Sequence, residues 1–285
     1  MASLKEVKGR IATVNNTRKI TSAMKMVASA KLHKAQGAIT NMLPYERRLH
    51  GVLTRLLGAE GAASCFTIER KVKRAALVVF SSNSSLCGGF NANVIKQASQ
   101  WLDEHQALGK ENLLVYPVGR KVAEALVKSG CPIQGDFQHL ADKPSFAESA
   151  DLAQGLMDLF ARGEVDRVDL LYHHFKSTAS QVLTREVFLP MNLSGEGSAS
   201  KGGDYILEPS REELLAMLLP KVLRLKLYTV LLDSNASEHA ARTMAMQIAT
   251  DNADELLQEL TLMYNKTRQQ AITSELLDIV GGQMA

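Results

Sequence analysis

The sequence predicts an α/β fold: an antiparallel coiled coil of long N- and C-terminal helices plus a central Rossmann-like α/β domain. Three observations lead there. Gly and Pro are absent from Arg10 to Gln36 and again from Lys221 to Val280, the second stretch being 60 residues long. Between these stretches the apolar pattern switches from a helical period to short continuous runs separated by helical segments. The two ends also carry opposite charge, +9 over residues 1–55 and −5 over residues 204–285. The predicted organisation is an N-terminal coiled-coil helix over 1–60, an α/β head over 73–190, a flexible linker over 191–207 and a C-terminal coiled-coil helix over 208–285.

In the first helix Leu4, Val7, Ile11 and Val14 fall at alternating spacings of three and four, and Ile20, Met24 and Val27 continue the stripe after a shift. So narrow a seam suits a coiled-coil strand better than a broad core face. Gly37 and Pro44 interrupt it weakly, and the helical pattern resumes through residues 45–57. AALVVF (75–80) reads as a buried strand. After the loop SSNSSLCGG comes a helical stretch from Asn91 to about His105. NLLVYPV (112–118) is a second buried strand, GRKVAEALVKSG (119–130) a helix ending at Gly130, and Pro144 opens a helix to about Arg162. VDLLYHHF (168–175) and VLTREVFL (182–189) are two further strands. Alternating strands and helices predict a largely parallel sheet. MNLSGEGSASKGGD (191–204) is Gly- and Ser-rich, as in a flexible loop. Continuous helix over Lys221–Val280 would be about 90 Å long, and Pro220 either starts it or kinks a helix begun near Ser210. No globular domain of this size needs so long a helix. Winding the terminal helices together buries both seams and gives a rod projecting from a globular head. The opposite end charges favour that pairing, although single surface ion pairs are weak.

Composition narrows the function. Apolar residues make up 46% and charged residues 22%, as in a soluble globular protein, and the net charge of +3 names no partner. Cys65, Cys87 and Cys131 form no CxxC pair and no metal spacing, which reads as reduced thiols in a cytosolic compartment. The start MASLKEVKGR lacks the apolar core of a signal peptide, and no run of about 18 apolar residues is present. A link to a membrane is therefore expected only through partners.

Three segments carry a family resemblance: IATVNNTRKITSAMKMVASAKLHKAQ (11–36), LCGGFNANV (86–94) and SEHAARTMAMQIATDNADELLQELTLMYNKTRQQAITSELLDIVGGQMA (237–285). In this order they resemble the gamma subunits of bacterial F-type ATP synthases. The resemblance implies the central-stalk rotor of a proton-translocating complex. The coiled coil would turn inside a ring of alpha and beta subunits, and the head would sit on the c-subunit ring beside an epsilon subunit. Rotation of the c ring would be coupled to ATP synthesis or hydrolysis in the beta subunits, with a part in regulating ATPase activity. It also implies a peripheral place on the cytoplasmic face of the cell membrane, with no catalytic site, cofactor or metal of its own.

Residue by residue, the resemblance places Arg268 and Gln269 in polar contact with beta-subunit loops, where an arginine fork can grip a carboxylate. Thr273 joins them one turn on. Met24 and Lys25 fall where the rotor passes the lower lobes of beta, and Met24 is equally placed to pack in the seam. Arg242 pairs with beta or with the N-terminal helix, or bonds back to Glu238. Tyr205 and Glu208 match the region near the c ring and epsilon. Ile279 and Val280 would form an apolar tip near the top of the bore. Many family members carry Ser-Asp-Arg-Gly before Leu-Cys-Gly-Gly, whereas this chain has Ser82, Asn83, Ser84 and Ser85.

Other motifs read plainly. LCGGFN follows a strand and precedes a helix, the context of an anion-binding turn, but it is not G-x-G-x-x-G, and Gly88 and Gly89 are expected to serve a tight turn. GEGSASKGG (195–203) lacks the glycine before lysine that a phosphate loop needs. Cys87 is expected to be buried. His173 and His174 alternate faces of a strand and make a poor chelate. Two other functions compete. A nucleic-acid-binding coiled coil would use the basic N-terminal arm, but residues 1–44 contain no Phe, Tyr or Trp to stack on bases. A small α/β enzyme would need a nucleophile, an acid–base pair or a phosphate loop, and the motifs supply none.

Overall fold

A computed structural model describes residues 3–57, 65–191, 208 and 210–282. Two long helices frame the chain, α1 (Leu4–Leu57) and α6 (Arg211–Gly282). Between them lie β1 (Ala75–Phe80), α2 (Phe90–Glu104), β2 (Leu113–Val118), α3 (Arg120–Lys128), α4 (Gln138–Asp142), α5 (Phe146–Ala161), β3 (Arg167–Ser177) and β4 (Ser180–Leu189).

The sheet order is β2-β1-β3-β4. Parallel pairing sets Ala75 beside both Leu113 and Arg167, while β3 and β4 pair antiparallel with His173 opposite Leu183. The sheet is thus largely parallel, as two of its three pairings are, with one antiparallel edge. Only Thr178 and Ala179 separate β3 from β4, too few residues for the crossover that a parallel neighbour requires. Every residue of β1 is buried, which explains its unbroken apolar run. On one face Val94, Ala98 and Trp101 of α2 and Val122 and Leu126 of α3 pack against Leu77, Val79 and Val115. The Trp101 indole donates to Asp169 Oδ2 at 2.8 Å, and Arg167 Nε donates to the same carboxylate at 3.0 Å. The buried charge of Asp169 is therefore paired and hydrogen-bonded.

The other face is covered by α5, through Leu152, Leu156, Met157 and Phe160, and by α6, through Leu223, Leu227, Val230 and Leu231. The rod helix is thus a structural layer of the head. Its opposite side packs on α1, where Leu53 and Leu56 meet Leu215, Leu219 and Val222. Burial on both sides accounts for the nearly all-round apolar character of α6 in this region. The helix runs through Pro220 from Arg211, so that proline lies inside the helix and does not start it. In the same way α1 passes through Gly37 and Pro44 without a break. Packing of α1 along α6 supplies the stabilisation that propensity alone lacks.

Along the rod, Arg18 pairs with Asp254 at 2.8 Å and Thr21 with Thr250 at 2.9 Å, and Leu32 and Ala35 pack on Ala236 and Ala240. Steps forward on α1 match steps back on α6, as in an antiparallel coiled coil. The seam differs from the apolar stripe in one respect. Ile20 and Val27 are each 59% exposed, whereas Val7, Thr21, Ala28, Leu32 and Ala35 are buried. The contact line runs Val7, Ile11, Val14, Arg18, Thr21, Lys25, Ala28, Leu32, Ala35, a strict alternation of four and three. Small and polar residues occupy its middle, so hydrophobicity pointed to the wrong neighbours. The facing line on α6 is Met246, Thr250, Ala253, Leu257 and Leu260.

Candidate functional site

Three regions present chemistry to a partner or to the head itself. The first is the far end of α6. Counting back from the Arg18–Asp254 pair, Leu4 falls opposite the turn holding Thr267 and Arg268, and α6 continues from Gln269 to Gly282, a further ~20 Å. Arg268, Gln269 and Thr273 are all exposed. Arg268 and Gln269 make no side-chain hydrogen bond or ion pair with any described residue, so the guanidinium and the amide are free for an outside acceptor. Thr273 Oγ1 donates to the Gln269 carbonyl at 2.9 Å, a local bond that leaves its oxygen able to accept. Ile272, Leu276, Leu277 and Ile279 are also exposed here. A cluster of apolar side chains on a lone helix end marks a docking surface. The side chain of Val280 lies outside the described residues.

The second region is a belt on α1. Met24 and Lys25 are half-buried, Lys25 on the contact line and Met24 beside it, flanked by exposed Ile20, Met26 and Val27.

The third is the joint between head and rod, which the motifs did not reveal. It lies beyond the carboxyl ends of β1 and β3, whose onward connections lead to opposite edges of the sheet, the place where open α/β sheets offer a crevice. Here α6 fills it. Asp233 Oδ1 accepts the Phe175 N–H at 2.7 Å, and Oδ2 meets His174 Nδ1 at 2.6 Å. Ser237 Oγ donates to the His173 carbonyl at 2.9 Å, and Asn235 donates to the Ala141 carbonyl at 2.8 Å. One turn further, Arg242 donates to Glu238 Oε1 at 2.7 Å, to Ser84 Oγ at 2.8 Å and to the Ser85 carbonyl at 2.5 Å. The local bond to Glu238 thus forms together with a contact to the head. A sequence signal existed, since Asp233-Ser234-Asn235 and Ser237-Glu238 place polar residues inside an otherwise buried helix face.

Burial sets the electrostatics of the joint. It pushes the Asp233 carboxyl above its ordinary range, against the hydrogen bonds from His174 and Phe175 that hold it down. It raises Glu238 likewise, with Arg242 opposing. His173 is lowered to about 4 by burial. His239 is lowered to about 4 by burial and by the nearby positive charges of Lys31 and Arg242. Among the described residues neither histidine's Nδ1 finds a hydrogen-bond partner. His173 stacks on Phe90 at 4.3 Å while His174 turns to Asp233, which separates the two imidazoles. Among the described residues no group of His, Cys, Asp and Glu comes together as a metal site.

The loop before α2 is shaped by this joint. Ser82 is fully buried and bonded to Asn91, Asn83 ties Arg120, Gln138 and Asp142 together, and Cys87 is buried. Gly88 (φ +59°) passes so close to the rod that a Cβ there would sit 3.9 Å from that of Ala245. Its glycine serves a left-handed turn against the rod.

A family model described as ATP synthase matches residues 3–285. An ATP synthase gamma chain from Phocaeicola vulgatus is 67% identical over the whole of both chains, and one from Bacteroides fragilis is 63% identical, again over the whole of both. The chain belongs to the ATP synthase gamma chain family. The fold agrees with chains of solved ATP synthase assemblies. A chain of the Euglena gracilis mitochondrial ATP synthase, in a structure of OSCP, F1 and c-ring, superposes with a TM-score of 0.65 at 19% identity, covering 99% of this chain and 93% of that one. A chain from the Tetrahymena thermophila central stalk and c-ring gives 0.57 at 21% identity, covering 81% and 99%.

In this gamma chain Glu208 is exposed just before α6. Tyr205, the segment 192–207 and with it GEGSASKGG lie outside the described residues. No described helix is long and apolar enough to cross a membrane.

Proposed function

We propose that this chain is the central-stalk rotor of a proton-translocating F-type ATP synthase, without a catalytic site of its own and peripheral on the cytoplasmic face of the cell membrane. The observation that carries the reading is the double residence of α6. One helix of 72 residues is a core layer of the head at one end and, at the other, an exposed tip that no described element covers. About 108 Å of continuous helix links the two, so movement of the head reaches the tip without crossing a flexible link.

The head sits on the c-subunit ring with epsilon, Glu208 lying on that side, and the rod stands in the ring of alpha and beta subunits. The solved neighbours support this, being stalk and rotor chains from such assemblies. A rod of two unequal helices is asymmetric, so it meets three identical beta subunits differently at any moment. Each beta site is then biased between states by its differential contacts. Arg268, Gln269 and Thr273 make the polar contacts near the tip. Met24 and Lys25 make the contacts at the belt. Arg242, its guanidinium engaged within the chain, braces the rod. By the same contacts the chain takes part in regulating ATPase activity.

The test is purification of a tagged chain from solubilised native membranes with an ATPase assay, repeated with Arg268→Glu. Co-elution of alpha and beta with ATPase activity, lowered several-fold by the charge reversal, is expected. A chain that elutes alone, or that hydrolyses ATP once freed of other subunits, would sink the reading.

A further inference from the structure

We infer that Arg242 is a positioning residue that pins the head to the rod at a fixed angle, and that Ser84 and Ser85 form its receptor. The inference rests on the rotor reading above. The large apolar side chains that anchor α6 to the sheet run to Leu231, and beyond them the small Ala236 and Ala240 meet Phe175 of β3; a helix bedded in apolar side chains alone can roll, because such contacts have no direction. Directional bonds from Asp233, Asn235 and Ser237 begin to fix the angle. Arg242 fixes it furthest along the rod, ~16 Å beyond Leu231, where a contact best resists rocking of the head.

The geometry is that of a clasp. The guanidinium side chain is 11% exposed and the Glu238 side chain 6%. Glu238 holds one side of the fork from the rod, and Ser84 Oγ and the Ser85 carbonyl receive it from the head. The receiving loop is itself fixed, because Asn83 accepts from the Arg120 N–H at 2.9 Å and donates to Asp142 at 2.7 Å. Lys31, Asp142 and His239 are the other charged or titratable groups around Glu238 and Arg242. A serine at position 84 completes the clasp; a cation there, with the neutral Asn83 in place of the aspartate that precedes the arginine of many family members, would repel the guanidinium.

Two opposite substitutions at Ser84 test this without touching the tip or the belt. Amide exchange of residues 84–89 is measured in the full chain, and ATP-driven proton pumping per ATP hydrolysed is measured in the membrane complex. Ser84→Arg sets two guanidiniums together. It is expected to speed exchange about tenfold and to lower pumping per ATP, with hydrolysis retained. Ser84→Asp adds a charge-assisted acceptor, and is expected to slow exchange and keep pumping per ATP at the wild-type value. Unchanged exchange in both variants, shifts in the same direction, or a loosened loop with wild-type pumping per ATP would each overturn the inference. Exchange in the full chain reads the clasp even if the chain fails to co-purify with ATPase activity, which would refute the rotor reading instead.

Discussion

Acid should loosen the joint through its buried histidines, and His173→Phe isolates the effect of one. His173 is 3% exposed, stacks on Phe90 at 4.3 Å and leaves its Nδ1 without a partner. Burial lowers its pKa from 6.5 to about 4. The folded state therefore binds a proton less readily than the unfolded chain. Stability from this group is complete above pH 6.5 and is lost as pH falls from there towards 4. Between pH 7 and pH 4.5 the loss from this one side chain is about 2 kcal/mol. His239 adds a loss of the same sign. Asp233 and Glu238, whose carboxyls are raised, act the other way, since the fold holds their protons more tightly and regains stability as pH falls. Phenylalanine keeps the stack and removes both the orphan nitrogen and the titration. At pH 7 the substitution should be near neutral, because relief of an unpaired polar atom worth about 1–3 kcal/mol is set against overpacking of about the same size. At pH 4.5 the variant should be more stable than wild type by about 2 kcal/mol beyond its difference at pH 7. Urea unfolding of the full chain at both pH values measures this. If wild type and variant lose stability in parallel on acidification, His173 is not a source of the acid sensitivity.

Other outcomes follow from single contacts. Trp101→Phe removes the indole donor to Asp169, and should cost about 1.5–3 kcal/mol in the same unfolding assay. Gly119→Ala should be at least as damaging, costing about 2 kcal/mol or more, because φ is +113° and the added Cβ would lie 2.2 Å from the Ser81 carbonyl oxygen; soluble yield and thermal midpoint report it. Arg268→Glu lies on an exposed helix face and should change stability by less than about 0.5 kcal/mol while lowering ATPase activity of the complex several-fold, so a large fall in thermal midpoint would contradict the free-tip reading.

Much of the architecture was legible because it depends on periodicity. The run Ala75–Phe80 is apolar at every position because β1 has neighbours on both edges and helices on both faces, and 60 residues without Gly or Pro could hardly be anything but helix. Two things were not legible. The seam of the rod passes through Thr21, Lys25 and Ala28, where contact depends on side chains being small enough for close approach or polar enough to pair, and an apolar stripe does not show that. The joint was hidden because it is assembled from residues far apart in sequence, such as Ser84 and Arg242. Only the packing of α6 onto the sheet brings them together. The exposed candidates Arg268 and Gln269 were legible for another reason: the resemblance named them, and no physical pattern in the helix singles them out.

The two ends of α6 place contrary demands on one helix. Inside the head it must be apolar on nearly every side, because the sheet and α1 both bury it. Towards the tip it has no such cover, and residues such as Arg268, Gln269 and Thr273 alternate with exposed Ile272 and Leu276. A helix apolar throughout would aggregate at its free end, and one polar throughout would not bed into the head. The transition falls at Asp233–Arg242, where polar groups replace apolar ones while burial persists. That is also where directional bonds to the head are concentrated. Before this point α6 is held by area, and beyond it α1 packs along it as far as the turn of Arg268. A shaft that turns with its head needs its directional contacts at that boundary, and there the chain supplies four side chains, Asp233, Asn235, Ser237 and Arg242, each bonded to a group on the head.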